Sequence, residues 1–214
     1  MALSARPQPR QRGLETAEKV RKAALRLFAA SGYAAVSMRD IATQVGVQPG
    51  ALYNHFPTKQ HILKDLMLSH MADLLAAWDT ADFPDETDPI ERFVRFHIRY
   101  HLERADEVFI AYMELRSLDA ENFAIVEAER RRYETVLADI LNEGAASGRY
   151  HIDNAKVTTR AIIAMLTGIP AWYRSGGDLS KEEIETLYLN MVRKSIAPEP
   201  TDNPGNPDTG DRMA

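Results

Sequence analysis

SMRDIATQVGVQPGALYNHFPTK, residues 37–59, reads as two short helices joined by a glycine-bearing corner, then a loop and the start of a longer helix. Ser37 and Asp40 stand three apart, a capping-box pattern in which each side chain satisfies backbone N–H groups left unpaired by the new helix. Met38, Ile41, Ala42 and Val45 recur at helical spacing and form one narrow apolar face. Gly46 stands where a chain leaving a helix needs a left-handed residue, and Val47 is placed to plug the corner. Pro49 suits the first turn of the next helix, where its missing N–H is harmless, with Gln48 near the N-cap. That second helix, about Pro49 to His55, is too short to be stable alone. Ala51, Leu52 and Phe56 must hold it by packing.

The residues left over match the needs of a helix-turn-helix reader, in which one helix presents its N-terminal residues to base edges and its neighbour braces it. Gln48 and Asn54 offer amides for bidentate contact with adenine, and Ala51 suits a thymine methyl. Gly50 removes bulk so that backbone and groove approach closely. Tyr53, His55 and Lys59 suit phosphates, which position rather than specify. Thr58 is placed to cap the next helix, whose positive N-terminal end also suits a phosphate. A helix-glycine-helix corner by itself also occurs in small helical domains that read nothing.

The longer run GVQPGALYNHFPTKQHIL, with LFAASGY and SMRDIA upstream, resembles the signature of the TetR family, a Gly-Val-x-x-Gly-x-Leu-Tyr-x-His-Phe-x-[Ser/Thr]-Lys pattern. The likeness is close over about Glu15 to Leu74 and architectural beyond. It implies DNA contacts at Ser37, Arg39, Gln48, Pro49, Gly50, Tyr53, Asn54, His55 and Lys59. It also implies a cytoplasmic, homodimeric transcriptional regulator, most often a repressor released from a palindromic operator by a small-molecule effector.

Charge agrees with the residue reading. The 214-residue chain carries a net −5, which alone argues against nucleic acid. Residues 1–60, however, hold nine Lys/Arg against three Asp/Glu, a balance of +6, leaving −11 for residues 61–214. A basic head on an acidic body confines phosphate attraction to one end. Arg6, Arg10 and Arg12 lie in an arm, residues 1–13, expected to be disordered; it either reaches a minor groove or is simply a floppy terminus. There is no cysteine, hence no disulfide framework or thiolate metal site. No apolar run approaches the roughly 20 residues of a membrane span, and MALSARPQPRQRG lacks the apolar stretch of a signal peptide.

The expected class is all-α: a three-helix helix-turn-helix head over residues 14–60 and a helical ligand-binding and dimerisation body over 61–197. Helices are expected over about Thr16–Ser31, the two reader helices, Thr58–Thr80 joining head to body, Pro89–Arg104, Asp106–Ser117, Asp119–Ser147, Asp153–Arg174 bent at Gly168 and Pro170, and one from the Ser180–Glu183 capping box to Ile196. That makes nine, the usual number in TetR-like proteins. The proline-rich tail, 198–214, is expected to be disordered.

The last two helices, about 153–174 and 180–196, are apolar around most of their circumference, so each must be buried on several sides. The family's dimer is a four-helix bundle of these two helices; a single large monomeric core is the alternative. On the helix from Pro89, His97 and His101 fall within an apolar stripe, one turn apart. Three readings stay open: satisfied interior histidines, polar fixtures in a ligand cavity, or half of a metal site whose third ligand is unidentified. Tyr112, Glu114, Arg116, Trp172 and Tyr173 are further candidates for ligand contact. Arg130-Arg131-Arg132 is either a salt-bridged solvated face or a phosphate grip at a pocket mouth.

MLTGIPAWYRSGGDLSKEEI resembles the bodies of TetR-type regulators of fatty-acid, sterol or aromatic-acid degradation. That implies an effector such as an acyl-CoA or a related carboxylic-acid derivative. No cofactor, committed metal site, catalytic set or phosphate-loop fingerprint is legible. The competing classes are a DNA-bound structural or partner-binding protein without a small ligand, and a histidine-based metal enzyme.

Overall fold

A computed structural model of the chain describes residues 9–198, with side chains from residue 13. Every regular element among them is helical: α1 (Pro9–Ser31), α2 (Met38–Val45), α3 (Pro49–Tyr53), α4 (Lys59–Asp79), α5 (Pro89–Leu102), α6 (Ala105–Met113), a 3₁₀ turn (Leu115–Ser117), α7 (Ala120–Ala146), α8 (Ala155–Thr167), α9 (Ile169–Trp172) and α10 (Lys181–Ser195). Taking α8 and α9 as the two halves of one bent helix, the described residues hold the nine helices expected. The bend falls at Gly168, two residues before Pro170.

Caps set most of the boundaries. Thr58, Asp88, Asp119, Asn154 and Ser180 each accept a backbone N–H in the first turn of the helix that follows, relieving donors that helix ends leave unpaired. Three boundaries differ from the sequence reading. α1 begins at Pro9 rather than near Thr16, so residues 9–13 of the expected arm are helical. α3 stops at Tyr53, two residues short of His55. The expected helix to Ser117 ends at Met113 and continues as the 3₁₀ turn. Arg6 and the tail beyond Pro198 lie outside the described residues, as do the side chains of Arg10 and Arg12.

Two apolar cores are present. The head core gathers Val20, Ala24 and Phe28 of α1, Ile41 of α2 and Leu52 of α3. The body core gathers Phe93 and Val94 of α5, Tyr133 and Leu137 of α7, Leu166 of α8 and Val192 of α10. α4 belongs to both. Its Ile62, Leu63 and Met67 are buried in the head core, and its Met71 and Leu74 in the body core. Each such side chain contributes roughly 1.5–3 kcal/mol by leaving water, so α4 is fixed to both cores at once. His70 sits between the two sets and is 4 % exposed.

A polar knot closes the seam on one side. Gln60, at the head end of α4, donates to the Tyr33 hydroxyl at 3.0 Å and to the Ser117 carbonyl at 2.6 Å, and accepts the Asp119 N–H at 3.1 Å. Glu114 accepts the Tyr33 N–H at 3.0 Å and the Ser117 hydroxyl at 2.7 Å.

Candidate nucleic-acid interface and effector cavity

The corner forms as its residues dictate. The Ser37 hydroxyl oxygen accepts the Asp40 N–H at 3.2 Å, and the Asp40 carboxylate accepts the Ser37 hydroxyl at 2.7 Å and the Ser37 N–H at 2.8 Å, two bonds that together hold that carboxyl below its usual range. Gly46 adopts φ +76° and donates back to the Ala42 and Thr43 carbonyls, a conformation in which a side chain would be strained. Ile41, Ala42 and Leu52 face inward and are buried.

What faces outward is a contiguous polar surface. Ser37, Arg39, Gln48, Pro49, Gly50, Tyr53 and Asn54 are all exposed, with Tyr53 half-exposed at 50 %. Gln48 is the N-cap of α3 without a side-chain capping bond. Neither it nor Asn54 has a side-chain hydrogen bond among the described residues, so both amides are free to meet a base edge. Ala51 and His55 are half-buried, and a Cβ at Gly13 would meet the His55 ring at 3.7 Å, which sets His55 beside α1.

Two of the expected contacts have work inside the head. Thr58 caps α4 by accepting the His61 N–H at 3.2 Å. Lys59 is engaged within the head: its ammonium donates to the Tyr33 and Val36 carbonyls at 2.7 and 2.6 Å and lies 4.1 Å from the Tyr33 ring centre. Burial lowers its pKa. It clamps the loop between α1 and α2.

The candidate ligand residues do not converge on one place. A cavity of about 260 Å³ opens between α1, α6 and the α8–α9 bend, lined mainly by Ala29, Phe109, Met113 and Ala171, with Tyr112, Thr167, Asp106 and Arg174 as its polar members. Of the seven expected residues only Tyr112 lines it. Glu114 lies in the seam knot. Arg116 is exposed on the 3₁₀ turn. Trp172 and Tyr173 line a separate shallow cleft with Gly177, Asp178 and Leu179. Trp172 stacks on Tyr188 of α10 at 6.5 Å. Arg131 and Arg132 pair with Glu127 and Glu129 as a solvated face, while Arg130 turns inward over the Tyr112 ring at 4.3 Å.

His97 and His101 are fully buried behind the cavity wall. Their rings lie parallel, 3.8 Å apart. His97 meets the Thr167 hydroxyl through Nε2 at 3.2 Å and the Tyr133 hydroxyl through Nδ1 at 3.1 Å. Tyr112 also hydrogen-bonds Thr167, and burial raises its pKa. A polar chain therefore runs from the cavity lining to His97. His101 Nδ1 donates to the His97 carbonyl at 2.8 Å, which fixes its proton there and leaves Nε2 as an acceptor without a partner among the described residues. The His101 ring is 5.9 Å from that of His70 on α4, whose two nitrogens are likewise unpartnered. Burial pushes the His70 pKa down to about 4 and that of His101 to about 3, so these rings are neutral near pH 7. Among the described residues no group of three or more His, Cys, Asp or Glu is placed to hold a metal ion.

Sequence reasoning missed Ala29, Phe109, Met113 and Thr167, which a helical stripe does not separate from ordinary core. It also missed Glu185, fully buried on α10 and held by Arg95 and Arg99 of α5 at 3.0 and 2.7 Å. A lone Glu beside the Ile184-Leu189-Val192 stripe, with two arginines one turn apart elsewhere, was the available signal.

Known proteins share this arrangement. Residues 20–66 match the family model of bacterial regulatory proteins of the tetR family, and residues 84–196 match that of the tetracyclin repressor-like C-terminal domain. The HTH-type transcriptional repressor KstR2 of Mycolicibacterium smegmatis is 30% identical over 181 residues, covering 79% of this chain and 85% of that protein. A bacterial regulatory protein of the tetR family from Rhodococcus RHA1 superposes with a TM-score of 0.78 at 30% identity, over 86% of this chain and 97% of that one. The ketosteroid transcriptional regulator KstR2 of Mycobacterium tuberculosis superposes at 0.69 with 25% identity, over 90% and 98%. With a reader head and a separate helical body each matched in place, the chain belongs to the TetR family of bacterial transcriptional regulators.

Proposed function

We propose that this regulator works as a homodimeric repressor that holds a palindromic operator and lets go when a small effector enters the body. The observation that carries this reading is the double membership of α4. One end is buried with the reader helices and the other with the body core, so a body rearrangement that displaces α4 also displaces the reader. An effector does this only by binding the released state more tightly than the DNA-bound one.

The dimer rests on the outer face of the last helices. Val157 of α8, Trp172 of α9, and Leu187 and Met191 of α10 are 62, 49, 45 and 50 % exposed. Leu187 and Met191 lie one turn apart, on the side of α10 away from the buried Glu185 and Leu189. Apolar groups gathered on one face in this way mark an interaction surface, and a two-fold pair of heads suits a two-fold operator. Sedimentation is expected to give two chains per particle for the wild type and one for the Leu187→Glu, Met191→Glu double variant.

The preferred effector class is an acyl-CoA or related carboxylic-acid derivative. A largely apolar cavity with Arg174 on its lining supports it. The protein acts by binding rather than catalysis, in the cytoplasm; no described helix is long and apolar enough to cross a membrane. Selection from random genomic fragments tests the reading. Enrichment of a palindrome supports it, and retention without sequence preference contradicts it.

A further inference from the structure

The effector cavity has one wall that belongs to the head. Ala29, in the last turns of α1, lines it together with Phe109 and Tyr112 of α6 and Pro170 and Ala171 of α9. α1 carries Val20, Ala24 and Phe28 fully buried against the reader helices. Close-packed side chains transmit displacement rather than absorb it, so whatever moves α1 moves the reader.

The cavity also has a polarity. Asp106 lies in the first turn of α6, where the positive helix end suits a carboxylate. Arg174 has no such balance. Its Nη1 reaches only the carbonyls of Ala171 and Tyr173, at 3.4 and 2.8 Å. Among the described residues no carboxylate is within ion-pair distance of it. Exposed at the cavity and paired with no carboxylate, the guanidinium keeps donors free for an anion, and the remaining lining is mostly apolar.

We propose that this cavity takes an apolar anion, with its acidic group at Arg174 and its apolar part between α6, α9 and Ala29, and that the occupant wedges α1 away from the body by direct contact. The proposal rests on the reading of the protein as an effector-released repressor. The size of the space supplies the differential affinity. At about 260 Å³ it lies below the roughly 300–1,000 Å³ typical of ligand sites, so an occupant of ordinary size fits better when the seam between α1 and α6 is wider. Release then needs no tilt of α4 as its first step.

Two dyes and three variants of the full chain test this. 1-Anilinonaphthalene-8-sulfonate and N-phenyl-1-naphthylamine share a ring skeleton and differ by the sulfonate. Arg174→Gln is expected to weaken the sulfonated dye at least tenfold and to leave the uncharged one within twofold. Equal binding of the sulfonated dye by wild type and variant overturns the anion assignment. For the wedge, Ala29→Phe fills the space from the head and Ala171→Phe fills it from the body, outside the reader's fold. Both are expected to lower affinity for the selected duplex at least tenfold with no ligand added. Wild-type affinity in Ala171→Phe overturns the wedge, even if Ala29→Phe is weak. With specific duplex binding by the wild type intact, that result leaves the repressor reading standing; absence of specific binding by the wild type overturns both.

Discussion

Glu114, the C-cap residue of a body helix, accepts the backbone N–H of Tyr33 in the head at 3.0 Å. The two are 81 positions apart in sequence, and the bond ties the end of α6, a cavity wall, to the loop that follows α1. A hydrogen bond to a charged acceptor is worth about 1.5–3 kcal/mol when well formed; partial exposure here sets the expectation nearer the lower figure. Glu114→Ala should speed hydrogen exchange at the Tyr33 amide severalfold, with Glu114→Gln in between. Unchanged protection of that amide in Glu114→Ala would show that the bond does not hold the seam.

Lys59 offers a second test, because its role inside the head differs from a phosphate contact. With both carbonyl bonds in place, Lys59→Met should lower unfolding free energy by about 1–3 kcal/mol. A lost phosphate contact instead flattens the salt dependence of DNA binding by roughly one ion per head and leaves stability alone. Denaturant unfolding and a salt titration on the same variant separate the two. Full stability with a flattened slope would return Lys59 to the DNA.

The contrast between Lys59 and its neighbours shows how far the sequence could be read. Ser37, Gly46, Pro49 and Thr58 do what their chemistry predicts, because caps, a left-handed turn and a helix start are local events. The long helices are legible for the same reason. The clamp made by Lys59 is not legible, because its partners, Tyr33 and Val36, are carbonyls 26 and 23 residues away. The Glu114 bond is hidden likewise, its partner being 81 residues away. The cavity was least legible. Thr167, Ala29 and Phe109 come from three separate helices, and only tertiary packing gathers them. Trp172, expected at the ligand, instead lies exposed over Tyr188, where side-chain spacing alone does not separate an interface from a pocket.

The buried histidines set a pH dependence. Their folded pKa values lie below the ordinary 6.5, chiefly through burial. His101, Arg104 and Arg130 surround His70, and His70, His97 and Arg104 surround His101. For a base with a depressed folded pKa, the unfolded chain binds the proton first. Stability is therefore complete above about pH 6.5 and is lost as pH falls toward about 4 for His70 and about 3 for His101. A shift of His70's size corresponds to on the order of 3 kcal/mol. Unfolding free energy should fall steeply from pH 6.5 to pH 4, and His70→Leu should make that fall shallower. An identical slope in the variant would contradict a neutral, buried His70.

Glu185 anchors α10 to α5 through Arg95 and Arg99, and Glu91 extends the network to Arg193 at 2.8 Å. The carboxylate is fully buried while the two arginines are 24 and 45 % exposed. Removing one partner of a fully buried pair costs about 3–5 kcal/mol, and this exposure reduces the expectation to roughly 2–3 kcal/mol. Glu185→Ala should lower stability by that amount and weaken self-association, since α10 carries Leu187 and Met191. Loss of stability with unchanged self-association would separate α10's anchoring from the dimer face.

Binding to matched duplexes tests the two-headed regulator most directly. The selected palindrome is compared, at one salt concentration, with the same duplex carrying one scrambled half-site. Two coupled heads predict at least hundredfold weaker binding to the half-site duplex, and Tyr53→Ala should weaken binding to both duplexes by a similar factor. Equal wild-type affinity for the two duplexes would contradict a dimer that reads both halves of an operator.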